Sequence, residues 1–297
     1  MNSPDNKVFD EYFLKIYQGR WSHLKKALVV PERQILRPNR FAVFKKPVAD
    51  TCSFLEGCFW KPADFKLEKN AVGLYPYYVM DPASALVARA LDTHFDDQVL
   101  DMCAAPGGKT LILAEQMSSE KQDVTGSLIS NEYSESRRER LTRVLQDYIE
   151  KERRMFIHVK GLDGNQYGLR NPNTFDRILA DVPCSGERHL FENQKELSMW
   201  SIKRTKNLAI RQYSLLSSAW LAVKPQGRIV YSTCSISPEE NDQVISKLVK
   251  KRNPQILRHE WLNEIDFVEQ TEFGYQILPD RAGFGPMYFA IIEKPVS

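Results

Sequence analysis

Two of the five cysteines, Cys184 and Cys234, lie where a thiol could take part in chemistry. Each follows an apolar run, within Asp181-Val-Pro-Cys184 and Ser232-Thr-Cys234. A thiol becomes a nucleophile where a helix N-terminus or a cation favours its thiolate, and we expect a helix that starts near Pro238 to do this for Cys234. Two cysteines that follow two strands indicate covalent catalysis. The alternative is a pair of small buried hydrophobic side chains.

The cysteine and histidine patterns disfavour disulfides and metal sites. Five cysteines are an odd number, and the chain contains neither a Cys-x-x-Cys pair nor a His-Glu-x-x-His motif. We therefore predict free thiols in a reducing compartment and no bound metal.

A glycine-containing segment precedes both cysteines. Residues 99–110 read V-L-D-M-C-A-A-P-G-G-K-T, an apolar run that breaks at Pro106-Gly107-Gly108 and passes directly into a helical pattern. In an open α/β sheet such a turn presents backbone N–H groups and a helix N-terminus to a ligand at the strand ends. Taken alone, this stretch fits an ordinary strand–helix turn equally well.

Three acidic residues, Glu132, Asp163 and Asp181, follow successive predicted strands. Glu132 comes 24 residues after Gly108, close to the spacing at which an acid binds ribose hydroxyls. Because the chain has neither Gly-x-x-x-x-Gly-Lys-[Ser/Thr] nor Gly-x-Gly-x-x-Gly, S-adenosyl-L-methionine is favoured over a nucleoside triphosphate or a redox dinucleotide.

The elements that must position these residues alternate between strand and helix from residue 75 onward. This alternation predicts an α/β fold, a Rossmann-like, doubly wound and mostly parallel sheet of seven strands. The strands are expected near 98–102, 127–130, 155–159, 175–182, 228–233, 275–278 and 287–293. The helices are expected near 82–91, 109–117, 135–149, 203–223 and 238–251.

Positive charge is concentrated near the N-terminus. Residues 15–46 contain nine Lys or Arg and one acid, Glu32, whereas the whole chain has a net charge of +3. We predict that residues 1–75 form a small basic extension that binds RNA, and that residues 76–297 form the domain with the cofactor. A second basic run, at 203–211, is expected to contact RNA as well. A solvated surface with scattered lysines is the alternative.

Composition bounds the class and the compartment. The chain is 42% hydrophobic and 27% charged, as in soluble globular proteins. No apolar run approaches the roughly 18 residues of a membrane span. The first ten residues lack the features of a signal or transit peptide, so we expect a cytoplasmic protein.

The motifs in this order resemble the Sun-domain RNA cytosine carbon-5 methyltransferases, which use S-adenosyl-L-methionine. The resemblance is carried by C-A-A-P-G-G-K-T at 103–110, D-V-P-C at 181–184 and S-T-C-S at 232–235, and it extends over nearly all of residues 75–297. The opening Phe9-Asp-Glu-Tyr-Phe13 and the closing Phe284-Gly-Pro-Met-Tyr-Phe289 are most similar to the compact branch that includes the mitochondrial ribosomal-RNA enzyme.

The resemblance implies roles for four catalytic residues. Cys234 would add to ring carbon 6 of the cytosine, which makes carbon 5 able to accept a methyl group. Cys184 would assist proton removal, β-elimination and product release. Asp181 would contact the base or the methyl donor, and Lys109 would pair with Asp181.

The resemblance also implies a cofactor site. Glu132 would bind the ribose, Asp163 and Gly164 the adenine edge, and Arg137 and Asp181 would add further contacts. The methionine part would lie against the loop formed by Cys103, Ala104, Ala105, Pro106, Gly107, Gly108 and Lys109.

The substrate class follows from the chemistry. A cytosine must be unstacked before its ring carbons can be reached, so we expect a single-stranded or locally opened RNA. Ribosomal RNA is preferred over transfer RNA from the branch resemblance, and a protein partner could assist RNA binding. The alternative from another class is a non-catalytic, RNA-binding ribosome assembly factor. A methyltransferase for a small molecule or a protein is disfavoured, because methylating a heteroatom needs no covalent nucleophile.

Overall fold

The computed structural model is built around a mostly parallel sheet with helices on both faces. The structure describes residues 6–118 and 123–296. Residues 1–5, 119–122 and 297 lie outside these ranges. Residues 1–5 are part of the stretch in which we predict no targeting signal, and Ser297 ends the predicted domain.

The described strands are β1 (Ile35–Pro38), β2 (Phe59–Trp60), β3 (Tyr77–Met80), β4 (Gln98–Asp101), β5 (Ser127–Asn131), β6 (Ile157–Lys160), β7 (Phe175–Asp181), β8 (Val223–Thr233), β9 (Gln255–Leu257), β10 (Val268–Gln270), β11 (Tyr275–Ile277) and β12 (Met287–Glu293). The described helices are α1 (Lys7–Tyr17), α2 (Trp21–Val29), α3 (Pro82–Ala90), α4 (Gly108–Met117), α5 (Glu135–Tyr148), α6 (Tyr167–Arg170), α7 (Glu187–Glu192), α8 (Gln194–Ser198), α9 (Ile202–Ala222), α10 (Asp242–Arg252), α11 (Glu260–Asn263) and α12 (Pro279–Ala282).

The predicted fold class is confirmed. The large sheet has the order β10-β11-β12-β8-β7-β4-β5-β6. Its strands from β8 to β6 are parallel, and β12 and β11 are antiparallel to their neighbours. The seven predicted strands form the continuous part from β11 to β6. Strands β9 and β10, at the margin of this sheet, were not predicted.

The parallel strands are apolar because both of their faces are covered. Helices α3, α4 and α5 share one hydrophobic core with the sheet, and α6, α9 and α10 share the other. Neighbouring residues of β4 show the alternation, since Val99 belongs to the first core and Leu100 to the second. With both faces occupied, the carboxyl edge of the parallel strands remains as the place for a site.

The predicted start of the helix after Cys234 is wrong. Residues 238–241 form a turn, and α10 begins at Asp242. The Asn241 side chain accepts a hydrogen bond from Thr233 (2.6 Å) and donates to the carbonyl of Ser235 (2.9 Å). These bonds hold Asn241 at non-helical dihedral angles, so the helix N-terminus lies farther along the chain than the explanation for an activated Cys234 requires.

The N-terminal residues are joined to the large domain in two ways. Strands β2, β1 and β3 form an antiparallel sheet, so β3 after residue 75 pairs with β1 before it. Helices α1 and α2 pack an aromatic cluster against α7 and α8, in which the rings of Phe9 and Trp200 are 5.0 Å apart and those of Phe13 and Trp21 are 5.2 Å apart. The domain boundary at residue 75 stays a prediction.

Three of the nine basic residues at 15–46 are committed to internal ion pairs. Arg20 binds Glu269 and Asp280, Lys25 binds Asp10, and Arg37 forms a buried pair with Glu115. Part of the positive charge at 15–46 is therefore used in ion pairs within the protein. The other six are exposed at the surface: Lys15, Lys26, Arg33, Arg40, Lys45 and Lys46.

Replacing Phe13 by Ala tests how the N-terminal helices are held. Phe13 is fully buried in the aromatic cluster, so Phe13→Ala should lower the free energy of unfolding by about 3–5 kcal/mol, measured by denaturant titration. Leu14→Ala, at a neighbouring position that is 53% exposed, is the control and should change it by less than about 0.5 kcal/mol. Equal effects of the two substitutions would contradict this packing.

Candidate active site

The loop from β4 to α4 forms the wall of a cavity at the carboxyl edge of the sheet. The cavity has a volume of about 230 Å³ and is lined by Tyr78, Ser84, Asp101, Asp181 and the loop residues Cys103, Ala104, Ala105, Pro106, Gly108 and Lys109. Seven residues predicted from sequence therefore meet here. The other predicted cofactor residues lie outside this lining. Gly107 is in the same loop, Glu132 directly follows β5, Arg137 is in the first turn of α5, and Asp163 and Gly164 follow β6.

Two glycines allow this loop to pack closely. Gly107 has φ of +119°, and a Cβ there would lie 3.0 Å from Cγ1 of Val144 on α5. A Cβ on Gly108 would lie 2.6 Å from the Tyr78 ring. Side chains at either position would push the start of α4 away from these protein neighbours. The contact of this loop with a ligand stays a prediction.

Asn131 ties three strand ends together, a role that the sequence analysis did not assign. Its amide nitrogen donates to the carbonyls of Met102 (3.0 Å) and Leu162 (2.9 Å). Its oxygen accepts from the Leu162 amide (2.9 Å) and the Tyr167 hydroxyl (3.1 Å). The signal for this role in the sequence was an asparagine at the end of an apolar strand. If such an amide is buried, it needs several hydrogen-bond partners.

Glu132 has the features of a hydroxyl-binding residue. It is 4% exposed, and its Oε1 accepts a hydrogen bond from the backbone N–H of Ser134 (2.9 Å). Its Oε2 has no hydrogen-bond partner, although the Arg137 guanidinium lies 3.4 Å away. Arg137 is held by the carbonyl of Ala105 (3.0 Å). A buried carboxylate oxygen that still lacks a donor fits a ribose hydroxyl, so these residues fit an adenosyl cofactor.

Asp163 and Gly164 form a turn after β6. The Asp163 carboxylate accepts from the backbone and side chain of Asn165 (3.0 and 2.9 Å). A Cβ on Gly164 would lie 2.7 Å from Leu215 on α9, and its carbonyl accepts from Ser218 (2.8 Å). Gly164 is therefore required for packing, whatever ligand the turn contacts.

Lys109 and Asp181 form a largely buried ion pair. Lys109 Nζ lies 2.8 Å from Oδ2 of Asp181, whose Oδ1 accepts from the Ser232 hydroxyl (2.7 Å). Burial lowers the pKa of Lys109, but the carboxylates of Asp181 and Asp101 outweigh this effect and the pKa is raised overall. Lys109 is thus a charged lysine at neutral pH. Burial also raises the pKa of Asp101 to about 7.

The two predicted cysteines are in contact. Their Sγ atoms are 2.9 Å apart, both thiols are free, and the backbone N–H of Cys234 lies 3.3 Å from Sγ of Cys184. The hydrogen bond to Cys234, together with burial, raises the pKa of Cys184. The raised pKa favours the protonated form of Cys184, and either thiol can be the donor in their contact. Burial likewise raises the pKa of Cys103, whose side chain is a neutral thiol.

A pair of buried carboxyl groups, missed by the sequence analysis, joins the two cysteine loops. Ser185 follows Cys184, and its hydroxyl is within hydrogen-bond distance of both Glu187 and Glu240. Ser235 follows Cys234, and its hydroxyl lies 3.1 Å from Glu187 and 3.3 Å from Glu240. The only available signal was a serine directly after each cysteine.

Gln212 on α9 completes this arrangement. Its amide nitrogen donates to Glu240 (2.7 Å) and to the carbonyl of Pro183 (2.9 Å). Burial, followed by the charge of Glu240, raises the pKa of Glu187 to about 7, and burial raises the pKa of Glu240. Near neutral pH, a large fraction of Glu187 therefore keeps its proton.

Glu187→Gln should change how stability depends on pH. An unfolded glutamate titrates near 4.5, so the wild-type native state retains a proton that the unfolded state has lost, and the free energy of unfolding falls as pH rises from about 4.5 to 7. Because a glutamine at position 187 is neutral at every pH, it removes this fall in the free energy of unfolding. Relative to wild type, the variant should gain about 3 kcal/mol between pH 4.5 and pH 8, measured by denaturant titration. Glu196→Gln, at an exposed site, should leave the slope unchanged. Identical slopes for wild type and Glu187→Gln would contradict the raised pKa of Glu187.

Solved structures share this fold. NSun6 from Pyrococcus horikoshii, solved with SFG, superposes with a TM-score of 0.79 at 16% identity, covering 99% of this chain and 100% of that one. A methyltransferase homologue from the same organism has a TM-score of 0.79 at 23% identity, covering 98% and 95% of the two chains.

Curated relatives are more similar in sequence. The 5-cytosine rRNA methyltransferase NSUN4 of Bos taurus is 37% identical over 239 residues, which are 74% of this chain and 60% of that protein. The mitochondrial tRNA (cytosine(34)-C(5))-methyltransferase of Mus musculus is 33% identical over 77% of this chain and 67% of that protein. The chain spans between 57% and 62% of the length of the bovine, frog and mouse NSUN4 proteins.

The expectation of a cytoplasmic protein is wrong. The relatives include the mitochondrial tRNA enzymes of mouse and zebrafish, and the comparisons point to mitochondria. Composition near the N-terminus was a poor guide to the compartment. Among the described helices, none is long and apolar enough to cross a membrane. Within residues 6–118 and 123–296, no group of three or more His, Cys, Asp or Glu side chains could hold a metal ion.

Residues 88–293 match the family described as 16S rRNA methyltransferase RsmB/F, which covers more than half of the chain. This match and the curated relatives confirm the family that the motifs predicted. The chain belongs to the RsmB/F family of rRNA methyltransferases.

Proposed function

We propose that this chain methylates carbon 5 of a cytosine in RNA, through a covalent bond between Cys234 and the cytosine ring. The observation that carries the proposal is the pair of thiols, 2.9 Å apart after β7 and β8, beside the Lys109–Asp181 ion pair. A protein that only binds RNA needs neither paired thiols nor a charged lysine held at the same edge. The assembly-factor alternative is therefore disfavoured.

The chemistry requires a nucleophile because carbon 5 of cytosine reacts poorly by itself. The Cys234 thiolate adds to carbon 6, which forms an S–C6 bond and makes carbon 5 electron-rich. S-adenosyl-L-methionine, when bound, supplies the methyl group that carbon 5 takes up. Removal of the carbon-5 proton and cleavage of the S–C6 bond then restore the aromatic ring and the Cys234 thiolate.

Cys184 and Asp181 have distinct roles in this scheme. Cys184 lies 2.9 Å from Cys234, so it is placed to assist proton removal and the β-elimination that releases the product. The Asp181 side chain is held between Lys109 and Ser232, and it would contact the base or the methyl-donor side of the cavity. Lys109 acts by holding the charge of Asp181.

The cofactor is expected along the β4–α4 loop. Residues 103–109 would hold the methionine part, and Glu132 would accept hydrogen bonds from the ribose through its unpartnered oxygen. Arg137 would support this contact from its position on Ala105. Asp163 and Gly164 would lie at the adenine edge.

Ribosomal RNA is the proposed substrate class, supported by the family description and by the names of the NSUN4 relatives. Transfer RNA is the second candidate, because relatives at 32–33% identity are named as tRNA enzymes. The six exposed basic residues of the N-terminal part and the run at 203–211 would contact the RNA backbone. A protein partner that assists RNA binding is part of the same proposal.

Cys234→Ala should abolish methyl transfer. The nucleophile is lost while the cofactor loop is unchanged, so transfer of labelled methyl from S-adenosyl-L-methionine to unmodified rRNA and tRNA transcripts should fall by at least about 10⁴-fold. Cofactor affinity, measured by calorimetry, should change less than about twofold, because Cys234 does not line the cavity beside that loop.

The control is Cys52→Ser, which changes a thiol in the N-terminal part, away from the site, and should keep transfer near the wild-type level. Full activity of Cys234→Ala would contradict the proposed nucleophile. Cofactor binding by the wild type without methyl transfer to either RNA would favour the assembly-factor alternative.

A further inference from the structure

Each of the two cysteine loops, residues 182–187 after β7 and 234–241 after β8, contributes one buried glutamate that reaches the other loop. Glu187 lies shortly after Cys184, and its Oε2 accepts a hydrogen bond from the backbone N–H of Ile236 (3.0 Å) in the other loop. Glu240 ends the loop that begins at Cys234, and its Oε2 accepts from the backbone N–H of the residue directly after Cys184 (3.0 Å). The loops therefore hold each other by reciprocal hydrogen bonds from carboxyl groups to backbone.

The hydroxyl groups of Ser185 and Ser235 lie between these two carboxyl groups. Their Oγ atoms are 3.1 Å apart, and each is within hydrogen-bond distance of both Glu187 and Glu240. Because each serine directly follows a cysteine, these contacts fix the backbone one residue away from each thiol.

Glu240 is in turn anchored to the sheet and to α9. Its backbone carbonyl accepts from the hydroxyl of Tyr231 (2.6 Å), a fully buried residue of β8, and its Oε2 also accepts from Nε2 of Gln212 (2.7 Å). The same Gln212 amide donates to the carbonyl of Pro183 (2.9 Å). The backbone is therefore held on both sides of Cys184.

Neither glutamate is placed to touch RNA or the cofactor. Both residues are 0% exposed, and neither lines the cavity beside the β4–α4 loop. A second cavity of about 200 Å³ contains the Cys234 thiol, and its lining includes Glu32 and Arg188 but neither Glu187 nor Glu240. Any effect of these two carboxyl groups on the reaction must therefore pass through the backbone that carries the thiols.

We propose that Glu187 and Glu240 are positioning residues that keep the Cys184 thiol within reach of Cys234 during the reaction. The inference rests on the proposed function. Addition to the base needs Cys234, whereas release of the product also needs Cys184 beside the same base. A displacement of about 1 Å can slow a reaction about 100-fold. Loss of a bridging carboxyl group should therefore slow release more than addition.

The first test compares Glu240→Ala with Glu240→Gln in the full chain. In Glu240→Ala, the N–H of Ser185 and the amide of Gln212 lose their acceptor, so the loop of Cys184 is no longer held. Methyl transfer to an unmodified rRNA transcript should fall at least about 100-fold, and the protein–RNA adduct that survives denaturation should accumulate.

Glu240→Gln should rescue both readouts. Its amide oxygen still accepts from the two donors, and its NH₂ group can donate to the serine hydroxyls, which also act as acceptors. Methyl transfer should therefore stay within about fivefold of wild type, without accumulation of the adduct.

Glu115→Ala is the matched control. Glu115 is also a buried glutamate, but its ion pair with Arg37 joins α4 to β1 and does not involve the cysteine loops. Its loss should destabilise the chain without accumulation of the adduct. If Glu240→Ala does not fold, Ser185→Ala is used instead. This variant keeps the backbone N–H that Glu240 binds, and it should accumulate the adduct to a smaller extent.

Two results of this test would overturn the inference while leaving the proposed function intact. The first is methyl transfer at the wild-type rate by folded Glu240→Ala, or by Ser185→Ala used in its place. The second is slower transfer by that variant with no more adduct than Glu115→Ala shows.

The second test measures the thiol pair directly, without methyl transfer. Arsenite binds two adjacent thiols by forming two As–S bonds and releasing two water molecules, so its affinity depends on how well the thiols are held together. All proteins carry Cys52→Ser, because Cys52 and Cys58 are joined by a backbone hydrogen bond (2.9 Å) and would form a second thiol pair. In calorimetry, arsenite should bind at least about tenfold more weakly after Glu240→Ala and about equally after Glu240→Gln.

The arsenite result separates the inference from the proposed function. If the wild type lacks methyl transfer but its arsenite affinity depends on Glu240, the proposed function fails and the positioning role stands. Equal arsenite affinities with and without Glu240→Ala would overturn the positioning role. An equal loss of affinity in Glu115→Ala would also overturn it, because general destabilisation would then explain the effect.

Discussion

The site depends on the parallel pairing of β7 with β8. This pairing sets Asp181 opposite Ser232, so the residues that follow each strand leave the sheet at the same edge and on neighbouring paths. The two thiols come into contact 50 residues apart in sequence, and their loops are joined by the buried carboxyl groups of Glu187 and Glu240. One strand register thus determines the distance between two groups with different chemical tasks.

The same edge concentrates ionisable groups that are costly to bury. Lys109 and Asp181 compensate each other's charge, whereas burial raises the pKa values of Asp101 and Glu187. Each carboxyl group is supported by hydroxyl or backbone donors, which is the condition under which such groups remain buried. The resulting site offers fixed carboxylates and neutral acids at separate positions, a difference that acid–base chemistry on a pyrimidine ring requires.

The sequence predicts what local patterns encode, and it fails where distant side chains decide. Apolar runs, the glycine turn and the strand-end acids predict the fold and the position of the candidate site, and the motif resemblance predicts the family. Three features were not predicted, because they depend on contacts that no local pattern shows. They are the later start of α10, the ion pair between Arg37 and Glu115, which are 78 positions apart, and the presence of Glu32 in the cavity at Cys234. In each case a side chain from one part of the chain fixes the backbone or charge of another.

The central claim is that the two thiols have unequal roles, with Cys234 bonded to the RNA base. The most direct measurement is to incubate Cys184→Ala protein with S-adenosyl-L-methionine and an unmodified rRNA transcript, and then to isolate the adduct that survives denaturation. Mass spectrometry of its peptides identifies the cysteine that carries the nucleotide. The account predicts an adduct on the peptide containing Cys234, and none when Cys234 is also replaced by Ala. A nucleotide on another residue, or normal turnover by Cys184→Ala without an adduct, would contradict it.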